Sequence, residues 1–190
     1  MSKFLEIETK YDADGIDRIA FKGLLQSMNP HTFIYVESTD TYFSKGDDFI
    51  RYRSPPTNEK SKRSELTLKK KHVSGNNVVR TEINLRVDPN EENVIIAFCE
   101  NLGYVRNFSI YKMCDIYFFE DADVVLYTVI DEDKKQSNYL EIEVDESKEF
   151  SEEQGREILS KYEKLLAPLG LNPKKRMKKS MWEIFRKEVL

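Results

Sequence analysis

Apolar and polar residues alternate along much of the chain, and this period of two indicates β-strands. The loops Ser44–Asp48 and Ser74–Asn77 are typical of hairpins, so we expect a largely antiparallel sheet. Eight short segments rich in β-branched and aromatic residues are predicted as strands: Phe4–Lys10, Thr39–Phe43, Phe49–Arg53, Glu65–Lys71, Val79–Val87, Ile110–Phe119, Val124–Asp131 and Tyr139–Asp145.

Four further segments carry helix signals. Pro89 stands in the first turn of one and Gly103 just past its end, while Ser151 and Gln154 have the spacing of a capping box. Few helices beside a long antiparallel sheet define an α+β fold, and closure of the sheet into a barrel is one arrangement open to it. The predicted helices are Asp14–Met28 with Asp14 as cap, Asp88–Leu102, Ser151–Leu166 and Ser180–Val189.

Length and composition narrow the class of protein. The 190 residues suit a single domain spanning 1–190, and 12% aromatic residues argue against disorder. A net charge of −4 excludes a strongly basic nucleic-acid binder. Apolar runs are shorter than the roughly 18 residues of a membrane helix, and the charged N-terminal region predicts no signal peptide.

The cysteine and histidine content bears on redox and metal chemistry. Cys99 and Cys114 are the only cysteines, which excludes a disulfide scaffold and favours a reducing, cytoplasmic location. His31 and His72 add too few ligands for a His/Cys zinc site. We therefore expect any metal to be a hard cation held by carboxylates.

Charged residues recur at every second position in five predicted strands, so each of these strands has one charged face. One interpretation is a solvent-facing sheet surface. Two features favour a site instead: Ser, Thr, Asn and Gln are scarce on these faces, and the charges are sorted by strand. Carboxylates occupy the first and last strands (Glu6, Glu8, Glu141, Glu143, Asp145), and cations occupy the middle ones (Arg51, Arg53, Lys69, Lys71, Arg80).

Closure of the sheet would bring these charged faces into one interior. Such a set of charges would be very costly to desolvate unless ligands complete it. Carboxylate oxygens suit Mg²⁺ or Mn²⁺, and Arg and Lys side chains suit phosphate oxygens. The sequence therefore predicts a polyanion bound together with a divalent metal, and a triphosphate meets both requirements.

Seven motifs in order resemble the CYTH superfamily, the triphosphate tunnel metalloenzymes that include class IV adenylyl cyclase and thiamine triphosphatase. The strongest is the N-terminal E-x-E-x-K at Glu6–Lys10. The others are Asp40–Phe43 (D-T-Y-[FY]), Phe49–Arg53 (L-R-x-R), Leu66–Lys69 (L-T-x-K), Arg80–Glu82 (R-x-E), Asp131 with Tyr139–Glu143 (D…x-E-x-E) and Ser180–Ile184 (S-Y-x-[DE]-L, with Trp for Tyr).

The resemblance implies an eight-stranded antiparallel closed β-barrel that binds a triphosphate and one or two Mg²⁺ or Mn²⁺ ions in its tunnel. It implies Glu6, Glu8, Glu141, Glu143 and Asp131 as metal ligands. It implies Lys10, Arg51, Arg53, Lys69, Arg80 and Lys112 as phosphate ligands; Lys71, on the same strand face as Lys69, joins them. Catalytic roles fall to Lys10, Glu82 and Asp131, with Glu82 orienting the basic residues or a second metal.

Two departures from the family pattern stand out. A strand that usually offers K-x-R has Lys112-Met113-Cys114, and the usual glycine between Asp131 and Glu141 is replaced by Lys134–Asn138. These motifs describe the phosphate and metal chemistry, so several reactions fit them.

We favour hydrolysis of an inorganic, nucleoside or thiamine triphosphate. The alternatives are ATP cyclisation by a class IV-type adenylyl cyclase, RNA 5′-triphosphatase activity with an RNA end as substrate, and a binding module without turnover. We expect no membrane partner, and the sequence does not determine the oligomeric state.

Overall fold

The computed structural model describes residues 7–54, 64–74, 77–145, 148 and 150–187, with the backbone alone between residues 69 and 82. The helices are α1 (Arg18–Ser27), α2 (Glu92–Asn101), α3 (Glu152–Leu166) and α4 (Met181–Phe185). The strands are β1 (Glu8–Asp12), β2 (Thr32–Lys45), β3 (Asp48–Arg53), β4 (Ser64–Ser74), β5 (Asn77–Val87), β6 (Val105–Phe118), β7 (Ala122–Ile130), β8 (Gln136–Val144) and β9 (Arg176–Met177).

The described strands form one antiparallel sheet in the order β5-β4-β3-β2-β6-β7-β8-β1-β9, which confirms the predicted α+β class. All eight predicted strands are present, and β9 is an addition. A strand of two residues is too short to give a periodic signal, so the sequence did not predict it. Among the described residues, β5 and β9 are the two edge strands of the sheet. Hydrogen bonds between described strands therefore do not close the sheet into the predicted barrel.

The chain divides into two compact units. The first comprises Met1–Tyr35, Met113–Val129 and Gln136–Lys178, and the second comprises Val36–Lys112, Ile130–Lys135 and Lys179–Leu190.

The core of the first unit lies where α1 and α3 pack on one face of β1, β7 and β8. Phe21 and Leu25 of α1 and Leu159 of α3 are buried there with Leu140 and Ile142 of β8. Even-numbered residues of β8 therefore face the helices. This burial explains the period-two pattern, because one face of the strand alone must be apolar.

The core of the second unit lies under α2. Ile95 and Cys99 of this helix pack on Phe43, Ile50 and Tyr52 of β2 and β3. The alternate residues of β2 and β3 carry the charged side chains on the opposite face.

The first predicted helix begins later than expected. Gly15 has a φ of +90°, and the helix starts at Arg18 with Asp17 as its cap. The carboxylate of Asp14 accepts hydrogen bonds from the backbone and side-chain amides of Asn138 instead. The proposed cap at Asp14 was therefore wrong, because the turn at Gly15 intervenes.

The other helices agree better with the sequence. Ser151 and Gln154 form the predicted capping box of α3. Pro89 lies in a 3₁₀ turn before α2, and α4 ends at Phe185, earlier than predicted. Cys99 and Cys114 are both free and buried. Among the helices described here, none has the length and apolar character that a membrane crossing requires.

Candidate functional site

The carboxylates of the first unit lie on the sheet face that α1 and α3 do not cover. Leu140, Ile142 and Val144 are buried among the helices, so the alternation of β8 directs Glu141 and Glu143 to the opposite face. Both glutamates are partly buried. The charged face of this strand is therefore only partly open to solvent.

The register between β1 and β8 brings predicted site residues directly opposite one another: Glu8 pairs with Glu143, and Lys10 pairs with Glu141. The amide of Val144 donates to the carbonyl of Ile7 at 2.9 Å, so the pair that follows is a narrow, non-hydrogen-bonded one. Cα atoms in such pairs are about 4.5 Å apart, which brings their side chains close. Two glutamates in this position repel each other, and a bound cation would relieve that repulsion.

Glu141 is held by donors from both neighbouring strands. Lys10 Nζ lies 2.6 Å from Glu141 Oε1, and the Tyr127 hydroxyl donates to the same oxygen at 2.9 Å. The side chains of Lys10 and Glu141 are only 10% and 18% exposed. Burial raises the pKa of Tyr127 far above its ordinary value, and the charges of Glu141 and Glu8 add to this rise. The phenol therefore stays protonated and acts as a donor.

A further carboxyl group of the first unit, that of Asp123, has a raised pKa. Burial, followed by the charge of Asp145, raises the pKa of Asp123 on β7 to about 6. Asp123 thus holds its proton more tightly than an exposed carboxyl does, mainly because it is buried and additionally because Asp145 lies nearby.

Arg53 and Asp40 form the best-defined contact of the charged face in the second unit. Arg53 Nε and Nη2 donate to the two carboxylate oxygens of Asp40 at 2.7 and 2.9 Å. Asp40 is fully buried. Burial alone would raise the pKa of this carboxyl, but Arg53 outweighs it, and the charges of Arg51 and Lys112 act in the same direction. The pKa of Asp40 therefore lies well below its usual range.

Arg51 is oriented by residues of β4 and retains unused hydrogen-bonding capacity. Its Nη2 donates to Glu65 Oε1 at 2.8 Å and to Thr67 Oγ1 at 2.9 Å. Its Nε is buried, and no group in the described part of the chain accepts a hydrogen bond from it. A buried guanidinium N–H without an acceptor is costly, so the described residues leave one hydrogen-bonding requirement of Arg51 unmet.

The remaining predicted basic residues of the second unit lie on β4, β5 and β6. The β4–β5 register places Lys69 opposite Glu82 and Lys71 opposite Arg80. Lys112 on β6 is buried and acts electrostatically on Asp40.

Asp131 has a local role in the β7–β8 turn. Its Oδ1 accepts a hydrogen bond from the amide of Lys135 at 2.9 Å. Lys134 in this turn has a φ of +65°, a left-handed conformation that favours glycine. The turn thus tolerates the non-glycine residue noted in the sequence.

Aromatic residues pack at one end of the charged face in the second unit. Trp182 of α4 stacks on Phe49 and Phe108 at centroid distances of 5.1 and 5.7 Å. Ser180 and Glu183 form a capping box that starts α4 and so fixes where Trp182 enters. This contact gives a structural reason for the C-terminal S-x-x-[DE] motif.

The predicted metal ligands are carboxylates, which are suitable donors for a hard divalent cation. The structure describes only part of this set of ligands. Glu8, Glu141 and Glu143 offer oxygen donors on adjacent strands, which Mg²⁺ and Mn²⁺ prefer. In the described ranges no three acidic, histidine or cysteine side chains are grouped closely enough to hold a metal ion as they stand. Glu6, the remaining glutamate of the motif, lies outside those ranges.

Four contributing residues were not among the predicted site residues, and one of them is Glu65, which accepts a hydrogen bond from Arg51. Tyr127 binds Glu141, Asp40 binds Arg53, and Thr67 binds Arg51. Strand parity could have indicated Tyr127, because it lies an even number of residues from Asp131 on the same predicted strand. Asp40 was noted only within its motif, since a single acidic residue does not reveal its partner.

Comparison with known proteins identifies the family. The CYTH domain model matches residues 5–180, so this chain belongs to the CYTH family, as its motifs predicted. Members of this family are enzymes that act on triphosphates with divalent metal ions. No protein in a search of curated sequences matches the chain.

Solved structures share the fold. The PH1012 protein of Pyrococcus horikoshii OT3 is 22% identical with a TM-score of 0.70, and the match covers 96% of this chain and 100% of that one. A conserved hypothetical protein from Pyrococcus furiosus is 24% identical with a TM-score of 0.68, covering 94% and 99%. A candidate adenylate cyclase from Bacillus halodurans is 15% identical with a TM-score of 0.60, covering 95% and 97%.

Proposed function

We propose that this protein hydrolyses a triphosphate compound with the help of Mg²⁺ or Mn²⁺. The observation that carries the proposal is the narrow cross-strand pair of Glu8 and Glu143 beside the Lys10–Glu141 ion pair. Like charges in this arrangement are stabilised by a cation, and carboxylate oxygens select a hard one. Membership of the CYTH family supports the same chemistry.

We assign the carboxylates to metal binding and the basic residues to phosphate binding. Glu8, Glu141 and Glu143 would hold the cation, together with Glu6 of the same motif. A bound divalent cation would supply charge neutralisation for the phosphate oxygens. Asp131 remains a predicted ligand, and its turn hydrogen bond to Lys135 makes it the weakest of the set.

Arg51 and Arg53 are the strongest phosphate ligands in this proposal. Each guanidinium is oriented by a carboxylate, Glu65 or Asp40, and each keeps further N–H donors because a guanidinium has five. Lys10, Lys69, Lys71, Arg80 and Lys112 would add positive charge, and Glu82 would orient Lys69, which it faces in the register. Phosphoryl transfer relies on such positioning and charge stabilisation rather than on a covalent nucleophile.

Hydrolysis is the reaction that needs the fewest additional groups. Attack by water on a terminal phosphate requires phosphate ligands, a metal and the water itself. Cyclisation of ATP also requires residues that place the ribose 3′-hydroxyl against the α-phosphorus. The contacts that support this proposal all concern phosphate and metal binding, so they favour the simpler reaction.

Product analysis tests this proposal. The purified protein is incubated with tripolyphosphate, ATP, thiamine triphosphate or a 5′-triphosphorylated RNA, with Mg²⁺ or Mn²⁺ present, and every product is identified. We expect orthophosphate from tripolyphosphate, which contains no ribose. Cyclic AMP and pyrophosphate from ATP alone would indicate a cyclase, cleavage of RNA ends alone an RNA triphosphatase, and binding without products a non-catalytic module.

Isosteric variants test the metal ligands. Glu8→Gln and Glu143→Gln each remove one charged oxygen ligand while keeping the side-chain shape. We expect loss of turnover, with thermal stability in EDTA unchanged or raised because the repulsion between the two glutamates is gone. Lys134→Ala, in an exposed turn, serves as a matched surface control that keeps activity. Full activity of either glutamine variant, or of the wild type in excess EDTA, would overturn the mechanism.

A further inference from the structure

We propose that Tyr127 is a positioning residue that fixes the carboxylate of Glu141 for binding a divalent cation. The inference rests on the metal-binding part of the proposed function. Tyr127 lies within β7, and none of the sequence motifs includes it. Its hydroxyl donates to Glu141 Oε1 at 2.9 Å.

The geometry holds Glu141 from both sides. β8 lies between β7 and β1, so Tyr127 approaches the carboxylate from one neighbouring strand and Lys10 from the other. Both donors converge on Oε1, with Lys10 Nζ at 2.6 Å. Two donors on one oxygen, from the strands on either side, restrict rotation of the carboxylate more than either donor would alone.

The phenol itself cannot swing away. Tyr127 is fully buried, and its ring packs on that of Tyr139 with a centroid distance of 5.5 Å. A phenol hydroxyl is an O–H donor at neutral pH, and this one donates to Glu141 Oε1. Tyr127 is therefore a permanent, rigid donor, which is the property needed to orient a metal ligand.

Loss of a residue that orients a metal ligand typically weakens metal affinity about 10- to 100-fold. Tyr127→Phe removes the hydroxyl and keeps the ring. We expect the dissociation constant for Mn²⁺, measured by electron paramagnetic resonance on the full chain without substrate, to rise by about that factor.

Tyr162→Phe provides a matched control. Tyr162 is also buried in the first unit, and its hydroxyl donates to a carboxylate, Asp121, at 2.7 Å. Its removal therefore costs a similar hydrogen bond without touching Glu141. We expect Mn²⁺ affinity to stay within twofold of the wild type, with both variants folded by circular dichroism.

A double variant separates positioning from a general structural effect. If Tyr127 acts through Glu141, Tyr127→Phe causes no further loss of Mn²⁺ affinity in a Glu141→Gln background. Equal losses in both backgrounds, an unchanged affinity in Tyr127→Phe, or an equal loss in Tyr162→Phe would each overturn the positioning role while the metal site stands. A wild type that binds no Mn²⁺ would overturn the proposed function and this inference with it.

Discussion

The buried ion pair of Asp40 and Arg53 makes a sharp prediction about stability. Asp40→Asn keeps the shape of the side chain and removes its charge, which leaves Arg53 facing a neutral amide. Removing one partner of a buried ion pair costs about 3–5 kcal/mol. Because the Arg53 side chain is 33% exposed and can regain water, we expect a loss near the lower end, about 3 kcal/mol at pH 7.

The pH dependence of the stability difference tests whether the charge of Asp40 causes the loss of stability. The pKa of Asp40 is depressed in the folded protein, so its contribution is complete above the unfolded pKa of about 3.9 and is lost as the pH falls towards the folded value. The stability difference between the wild type and Asp40→Asn should therefore be constant from pH 7 to about pH 5. Below pH 3.9 it should shrink by about 1.4 kcal/mol for each pH unit.

Urea unfolding monitored between pH 7 and pH 3 measures this difference. Glu152→Gln is a suitable control, because it removes an exposed ion pair to Arg156 on α3 that is worth about 0.5 kcal/mol or less. A loss below about 1 kcal/mol for Asp40→Asn would refute the importance of the pair. A large loss that stays constant down to pH 3 would show that packing, not charge, is responsible.

Two further variants test the phosphate site and the β7–β8 turn. Arg51→Ala should raise the dissociation constant of tripolyphosphate, measured by calorimetry, about ten- to a hundredfold, because a charged hydrogen bond is lost at a partly buried site. The dissociation constant of orthophosphate should change much less. Equal losses of affinity for both ligands would contradict this role of Arg51. Lys134→Gly should raise the unfolding free energy by up to about 1 kcal/mol because Lys134 has a φ of +65°, and Lys134→Ala, which keeps the strained β-carbon, should give no gain.

One-sided burial made the strands predictable. In β8 the buried Leu140 and Ile142 alternate with Glu141 and Glu143, so the sequence shows the period directly. The first half of β2, from Thr32 to about Val36, is largely exposed on both faces and carries no such period, so the prediction began this strand at Thr39. The period-two pattern that identifies a strand in the sequence therefore depends on the burial of one strand face rather than on strand propensity.

The types of residue at the site were predictable, but most of their partners were not. The E-x-E-x-K motif indicates carboxylates and a lysine, yet the pairing of Glu8 with Glu143 depends on a register between strands about 130 residues apart. Burial of the apolar face of each strand and the geometry of the connections set that register, and no single strand contains the information. Tyr127 was missed for the same reason, since its partner Glu141 lies on the next strand.

The partners found in the structure explain how charged faces can be partly buried without a ligand. Arg53 is matched by Asp40, and Arg51 by Glu65, so ion pairing offsets part of the desolvation cost. Arg53 uses two of its five N–H donors in this pair, which leaves the others for an anion. The carboxylates therefore orient each guanidinium without competing for all of its donors, so phosphate would bind to groups already in place, and less binding energy is spent on ordering them.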